Sequence, residues 1–290
     1  MFNIQSINRK IFNKKLLLFS IFLFLLFTPA YPKIIKYINR SFRIYKVSKS
    51  QNCDFKFIKN IPKDSSVIVG HAYGSPSNHN DFIDQRLESF IIENNSKINN
   101  YFFTGDVFSK PNQKKWEKLY SLINEDSKIF IAPGNHDFFS KESEIIFKKS
   151  INQPIRFPFD VEVQDYKFII EDSTSSNWQI KQKTVSYINN INLKFPTILL
   201  RHNIPVRELL PIANSNYGLK SKLPAIDNFN KLFKNELIVI SGDSGAFKFL
   251  PRFFCLKNGN IKIISNGIGG VKDDTILVVS DKSIFKYKIN

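Results

Sequence analysis

Gly134-Asn135-His136-Asp137 stands just beyond Ile129–Ala132, a short apolar run, so it falls where a strand ends and a loop begins. Upstream, Tyr101-Phe102-Phe103 runs into Thr104-Gly105-Asp106 in the same manner. Two strand-end loops thus present an Asp, an Asn and a His. Carboxylate oxygen, amide oxygen and imidazole nitrogen are the groups a divalent cation takes. The tetrapeptide alone is a moderate signal; paired with an upstream Gly-Asp after a strand it is a strong one.

The pattern extends along the chain. Apolar runs rich in β-branched residues occur at Val67–Val69, Tyr101–Phe103, Ile129–Ala132, Phe168–Ile170, Thr197–Leu200, Leu237–Ile240, Ile261–Ile264 and Ile276–Val279. Their length and content predict buried strands. Phe82–Ile92 has near-helical apolar spacing, and Gln113–Ile123 and Lys181–Ile191 are weaker versions of it. Strands alternating with helices predict an α/β (α+β) domain over residues 61–290. Polar clusters recur at the run ends: Gly70-His71-Ala72-Tyr73-Gly74, Gly105-Asp106, Gly134-Asn135-His136-Asp137, Arg201-His202-Asn203 and Ser241-Gly242-Asp243-Ser244-Gly245. Ligands of α/β sheets bind beyond the carboxyl ends of strands, so these clusters are expected to converge on one site.

The chain has 290 residues, enough for one sizeable core, and a formal charge of +17. Residues 1–60 hold twelve Lys and Arg against one Asp, so eleven of the seventeen charges lie there. With no recognition motif beside it, that charge does not predict a nucleic-acid partner. It flanks Leu16–Ala30, an apolar segment that predicts a transmembrane anchor over residues 16–35, or else a cleaved secretory signal. Residues 1–15 read as a basic tail and 36–60 as a basic juxtamembrane segment. A single-pass membrane protein with an extracytoplasmic domain is expected, although the positive-inside rule points the other way. Cys53 and Cys255 read as a disulfide or as two inert thiols.

From about residue 65 to about 280 the chain resembles the calcineurin-like metallophosphoesterase superfamily. The resemblance rests on the intact Gly105-Asp106 and Gly134-Asn135-His136-Asp137, and on Glu171-Asp172-Ser173-Thr174 with Trp178 beyond. It implies a two-sheet β-sandwich flanked by helices, two metals per site, and hydrolysis of a phosphate ester by a metal-activated water. Two motifs depart from the family pattern. His71-Ala72-Tyr73 replaces Asp-x-His, and Gly242-Asp243-Ser244-Gly245 replaces Gly-His-x-His. The chain has only four His, and His79 lies outside every motif.

The resemblance assigns one metal to Asp106, Asn135, His202 and Asp243, and a second to His71, Tyr73 and Asp106, with Gly245 unable to ligate. It makes His136 the group that protonates the leaving group or stabilises the transition state, and Asp137 the group that orients His136. The cofactor is then one or two divalent ions of manganese, iron, zinc or magnesium. The expected partners are the membrane and a phosphorylated small-molecule, lipid or glycan substrate. Arg201 is a candidate phosphate ligand, since guanidinium matches phosphate geometry. Blander readings stand beside these: Tyr73 as a core or rim aromatic, Asp243 as a turn residue, Arg201 as half of a surface ion pair. The alternative function is a catalytically degenerate module that binds a phosphorylated ligand or a protein partner.

Overall fold

A computed structural model describes residues 31–290 apart from 54, 77–78, 192–193, 214–222 and 245–251. The chain divides into two compact units, Met1–Lys46 and Val47–Asn290.

Helix α1 (Tyr31–Lys49) begins in the first unit and ends in the second. Among the described residues no helix is long and apolar enough to cross a membrane. Ile34 and Ile35, expected to close a span over 16–35, instead open a helix whose sequence carries Lys33, Lys36, Arg40, Arg43, Lys46 and Lys49. A cation at almost every turn is incompatible with a hydrocarbon interior. The single-pass anchor, and with it the membrane as partner and location, is corrected on this finding as far as the described residues reach. Residues 16–30 lie outside the described residues.

The second unit holds two six-stranded sheets. In chain order its elements are β1 (Phe57–Ile58), β2 (Ser65–Val69), α2 (Gln85–Asn94), β3 (Ile98–Phe103), α3 (Gln113–Leu122), β4 (Lys128–Ile131) and α4 (Lys141–Ser150). There follow β5 (Phe159–Val163), β6 (Tyr166–Ile170), α5 (Gln182–Asn190), β7 (Thr197–Arg201), α6 (Ile226–Asn230) and β8 (Leu237–Ser241). The chain closes with β9 (Phe253–Asn258), β10 (Ile261–Asn266), β11 (Thr275–Ser280) and β12 (Ser283–Lys288). The first sheet has the order β1-β12-β11-β2-β3-β4 and the second β5-β6-β7-β8-β10-β9. All eight apolar runs are strands.

The strand period of two sorts the runs into layers. Ile68, Phe102 and Phe130 share the inter-sheet core with Phe168, Ile198, Leu200 and Ile240. Phe102 stacks on Phe168 with ring centroids 4.2 Å apart. Their neighbours Val67, Val69, Tyr101, Phe103, Ile129 and Ile131 face the other way, into the layer that holds Leu87, Trp116 and Phe147 from α2–α4. Ile169, Leu199 and Val239 face a third layer with Val185, Ile188 and Phe229. Burial on both faces explains why these strands are continuously apolar.

Strands β2, β3 and β4 are mutually parallel, as are β6, β7 and β8. Parallel pairing puts the carboxyl ends of neighbouring strands at one edge of their sheet. The polar clusters of the sequence lie at those edges.

Candidate functional site

Gly105 and Gly134 let the strand-end loops meet. A Cβ on Gly134 would lie 2.2 Å from Asp106 Oδ1, and one on Gly105, at φ +80°, would lie 2.6 Å from His202 Nδ1. Only glycine permits such close approach. Asp106 itself adopts φ 55° and His71 φ 54°, left-handed conformations that non-glycine residues hold only under constraint.

The constraint is a dense set of hydrogen bonds. The Asp137 carboxylate, wholly buried, accepts N–H bonds from Asp106 at 2.8 Å, Val107 at 3.2 Å and Gly134 at 2.8 Å. It staples the β3 loop to the β4 loop. Burial and the Asp106 charge push the Asp137 carboxyl up to about 7, while the N–H bonds pull it the other way. The His136 ring has a different anchor from the one the resemblance implied. Its Nδ1 lies 2.9 Å from the Ser109 carbonyl, an acceptor, so Nδ1 carries the proton. Nε2 then faces the Tyr73 hydroxyl at 3.4 Å, a long contact.

Asp106 is the hub. Its Oδ2 lies 3.5 Å from His71 Nε2, and its Oδ1 lies 3.5 Å from His202 Nε2 and accepts the His136 N–H at 2.9 Å. Burial opposes its charge, but His202, His71 and His136 outweigh burial and hold the carboxyl below its usual range. His71 donates Nδ1–H to the Gly74 carbonyl at 2.8 Å. Burial drags its imidazole down to about 4, with Asp106 pulling upward and failing to compensate. His202 behaves oppositely. Burial works against its charge, but Asp106, Asp243 and the Thr104 carbonyl together raise its pKa. Its Nδ1 meets that carbonyl at 3.0 Å, and its Nε2 lies 3.2 Å from Asn135 Oδ1.

Five of the predicted residues, His71, Asp106, Asn135, His136 and His202, are therefore joined by direct contacts, with Tyr73 on His136 and Asp243 within electrostatic reach of His202. This donor set does not fit a metal. Among the described residues no three His, Cys, Asp or Glu side chains are disposed to hold one. The donor atoms lie 3.2–3.5 Å from one another. Both Asp106 oxygens are straddled by imidazoles, and the Asn135 oxygen rests on His202 Nε2. His202 faces an acceptor with each ring nitrogen, the Thr104 carbonyl and the Asn135 oxygen. Tyr73, pushed far above 10 by burial and by Asp106 and Asp243, stays a neutral phenol. The expected divalent ion, and with it metal-dependent phosphoester hydrolysis, is corrected on this arrangement.

Arg201 lies apart from the cluster. Its guanidinium is fully buried, 3.3 Å from Glu171 Oε2, and donates to the Trp178 carbonyl at 2.5 Å. It forms an ion pair in the interior, where the sequence reading placed one at the surface. The segment it holds matters, because Asp172, Thr174 and Ser175 line a cleft of about 610 Å³ with Asn135, His136, Phe138, Phe139 and Glu144. Asn135 and His136, half-buried, are the motif residues that line it. Phe139 and Glu144 carried no signal in the sequence: an aromatic and an acid at a helix start read as ordinary surface.

A family model described as calcineurin-like phosphoesterase matches residues 71–267. A solved structure of phosphopantetheinyl hydrolase from Mycobacterium tuberculosis is 10% identical, with 72% of this chain and 92% of that chain covered and a TM-score of 0.45. A conserved uncharacterized protein from Streptococcus pneumoniae TIGR4, described as a predicted phosphoesterase, is 12% identical, with 77% and 86% covered and a TM-score of 0.29. No curated protein matches the chain.

Proposed function

This chain belongs to the calcineurin-like phosphoesterase family, and from that premise we propose that it is a catalytically degenerate member that binds a phosphorylated ligand. One observation carries the reading. Asn135 and His136, half-buried, open on the 610 Å³ cleft, while the rest of the cluster is closed behind them. Asn135 turns its oxygen to His202, which leaves its NH₂ as a donor. The Ser109 carbonyl fixes the His136 ring and, among the described residues, leaves Nε2 with the long Tyr73 contact. That nitrogen accepts the hydroxyl of a phosphate monoanion. Thr174 and Ser175 also line the cleft, with their hydroxyls donated to Asp172.

Calorimetric titration of the full chain with glycerol 3-phosphate tests the reading. Saturable binding is expected, weakened about tenfold or more in His136→Ala, the equivalent of one good hydrogen bond. Added manganese or a chelator should leave both affinity and melting temperature unchanged, and no ester should be turned over. Affinity indifferent to His136→Ala, or manganese-dependent hydrolysis, rejects the reading.

A further inference from the structure

The cleft holds two carboxylates, Glu144 and Asp172, and no lysine or arginine lines it. A phosphate lodged at Asn135 and His136 must share that space with both. Their cationic partners approach from outside. Lys148 meets Glu144 at 2.5 Å across a pair that is 41% exposed on each side, and Lys181 stands 3.6 Å from Asp172. Exposed pairs between residues four apart on a helix are weak, so Glu144 is readily turned to another cation. Asp172 is kept charged: burial opposes ionisation, but the Thr174 and Ser175 hydroxyls and Lys181 outweigh it. Phe139 lies at the same cleft with 61% of its surface exposed. An aromatic face beside carboxylates attracts an organic cation.

We propose that the cleft takes a zwitterionic phosphate ester, a phosphorylated amino alcohol, with its phosphate at Asn135 and His136 and its ammonium group among Glu144, Asp172 and Phe139. The ligand's own positive charge removes the conflict between a phosphate and an acidic cleft, and an anionic ester without that charge is disfavoured by the same two acids. This inference rests on the phosphate-binding reading of the cleft.

The full chain is titrated in parallel with phosphocholine, glycerol 3-phosphate, inorganic phosphate and choline. Phosphocholine should bind about tenfold or more tighter than glycerol 3-phosphate. That ratio should fall to about one in Glu144→Gln and in Phe139→Ala, two surface changes that spare the fold. Equal affinities for the two esters overturn this inference and leave phosphate binding standing. So does an unchanged ratio in both variants. Binding of none of the phosphates overturns both readings together. Choline binding as tightly as phosphocholine also overturns both, since it makes the cleft a cation site.

Discussion

His71 shows what a single residue costs and contributes here. It sits in a left-handed turn, 2% exposed, with its imidazole held near pKa 4 by burial against an ordinary 6.5. A depressed histidine means that the unfolded chain takes up a proton before the folded one does. The stability it confers is complete above pH 6.5 and is lost as the pH falls toward 4, by about 3 kcal/mol at most. Asparagine tolerates the left-handed turn and does not titrate. The stability of His71→Asn, followed by urea unfolding between pH 7 and pH 4, should therefore decline less steeply than that of the parent. Parallel declines would show that His71 is not the group being titrated. The turn was legible in the sequence from Gly70 and Gly74 around His71. The work of Asp137 was not, because its partners are the N–H groups of Asp106 and Val107, in a loop thirty residues away in sequence. Residue types at strand ends show that a cluster forms; they do not show which donor each carboxylate satisfies.

At the scale of elements, legibility followed burial. Strands β2–β4, β6–β8, β10 and β11 are closed on both faces or nearly so, and their apolar runs declare it. Strands β5 and β12, whose residues are mostly half-exposed, spell Phe-Asp-Val-Glu-Val and Ser-Ile-Phe-Lys-Tyr-Lys, and went unread. Helix α4 escaped too: it buries only Ser143 and Phe147, so its apolar spacing is sparse. Arg201 misled for a related reason. It terminates β7, a strand buried throughout, and an arginine at a run end looks like the start of a solvated loop. Its pairing with Glu171 is costly. Burial lowers the pKa of the arginine and raises that of the glutamate, the mark of two charges that would ionise more easily in water. A pair of this kind costs little net stability when both members are replaced, but about 3–5 kcal/mol when one is left alone. Arg201→Met should accordingly destabilise the fold by about that amount, and adding Glu171→Leu should recover at least half of it. The measurement is urea unfolding of both variants at neutral pH. A single variant as stable as the parent would show that the guanidinium does not anchor the Trp178 carbonyl and Glu171.

At the scale of the molecule, the two sheets are closed at one side by a covalent tie. β1 is the edge of the first sheet and β9 the edge of the second. Cys53, just before β1, is bonded to Cys255 on β9, with Cα atoms 5.7 Å apart. The same segment grips β9 by weaker means. Asn52 donates to the Lys257 carbonyl at 2.7 Å and accepts its N–H at 2.5 Å, and Phe55 packs edge-on against Phe253. Composition left the pairing open, since two cysteines 202 residues apart say nothing of their distance in space. That separation gives the bond its value. Closing so long a loop in the unfolded chain removes much of its entropy, and a stabilisation of about 2–5 kcal/mol follows. The Asn52 and Phe55 contacts remain when the bond is cut, so the folded state should keep its shape while the unfolded state gains freedom. Cys53→Ser combined with Cys255→Ser should thus lower unfolding free energy by about 2–5 kcal/mol, and reduction of the parent should lower it equally. Glycerol 3-phosphate affinity should not change, because the tie lies at the β1 and β9 edges and none of its residues lines the cleft. A loss below about 1 kcal/mol would mean that strain in the folded chain cancels the entropic gain. A loss of ligand binding at full folding would mean that the tie also sets the geometry of the cleft.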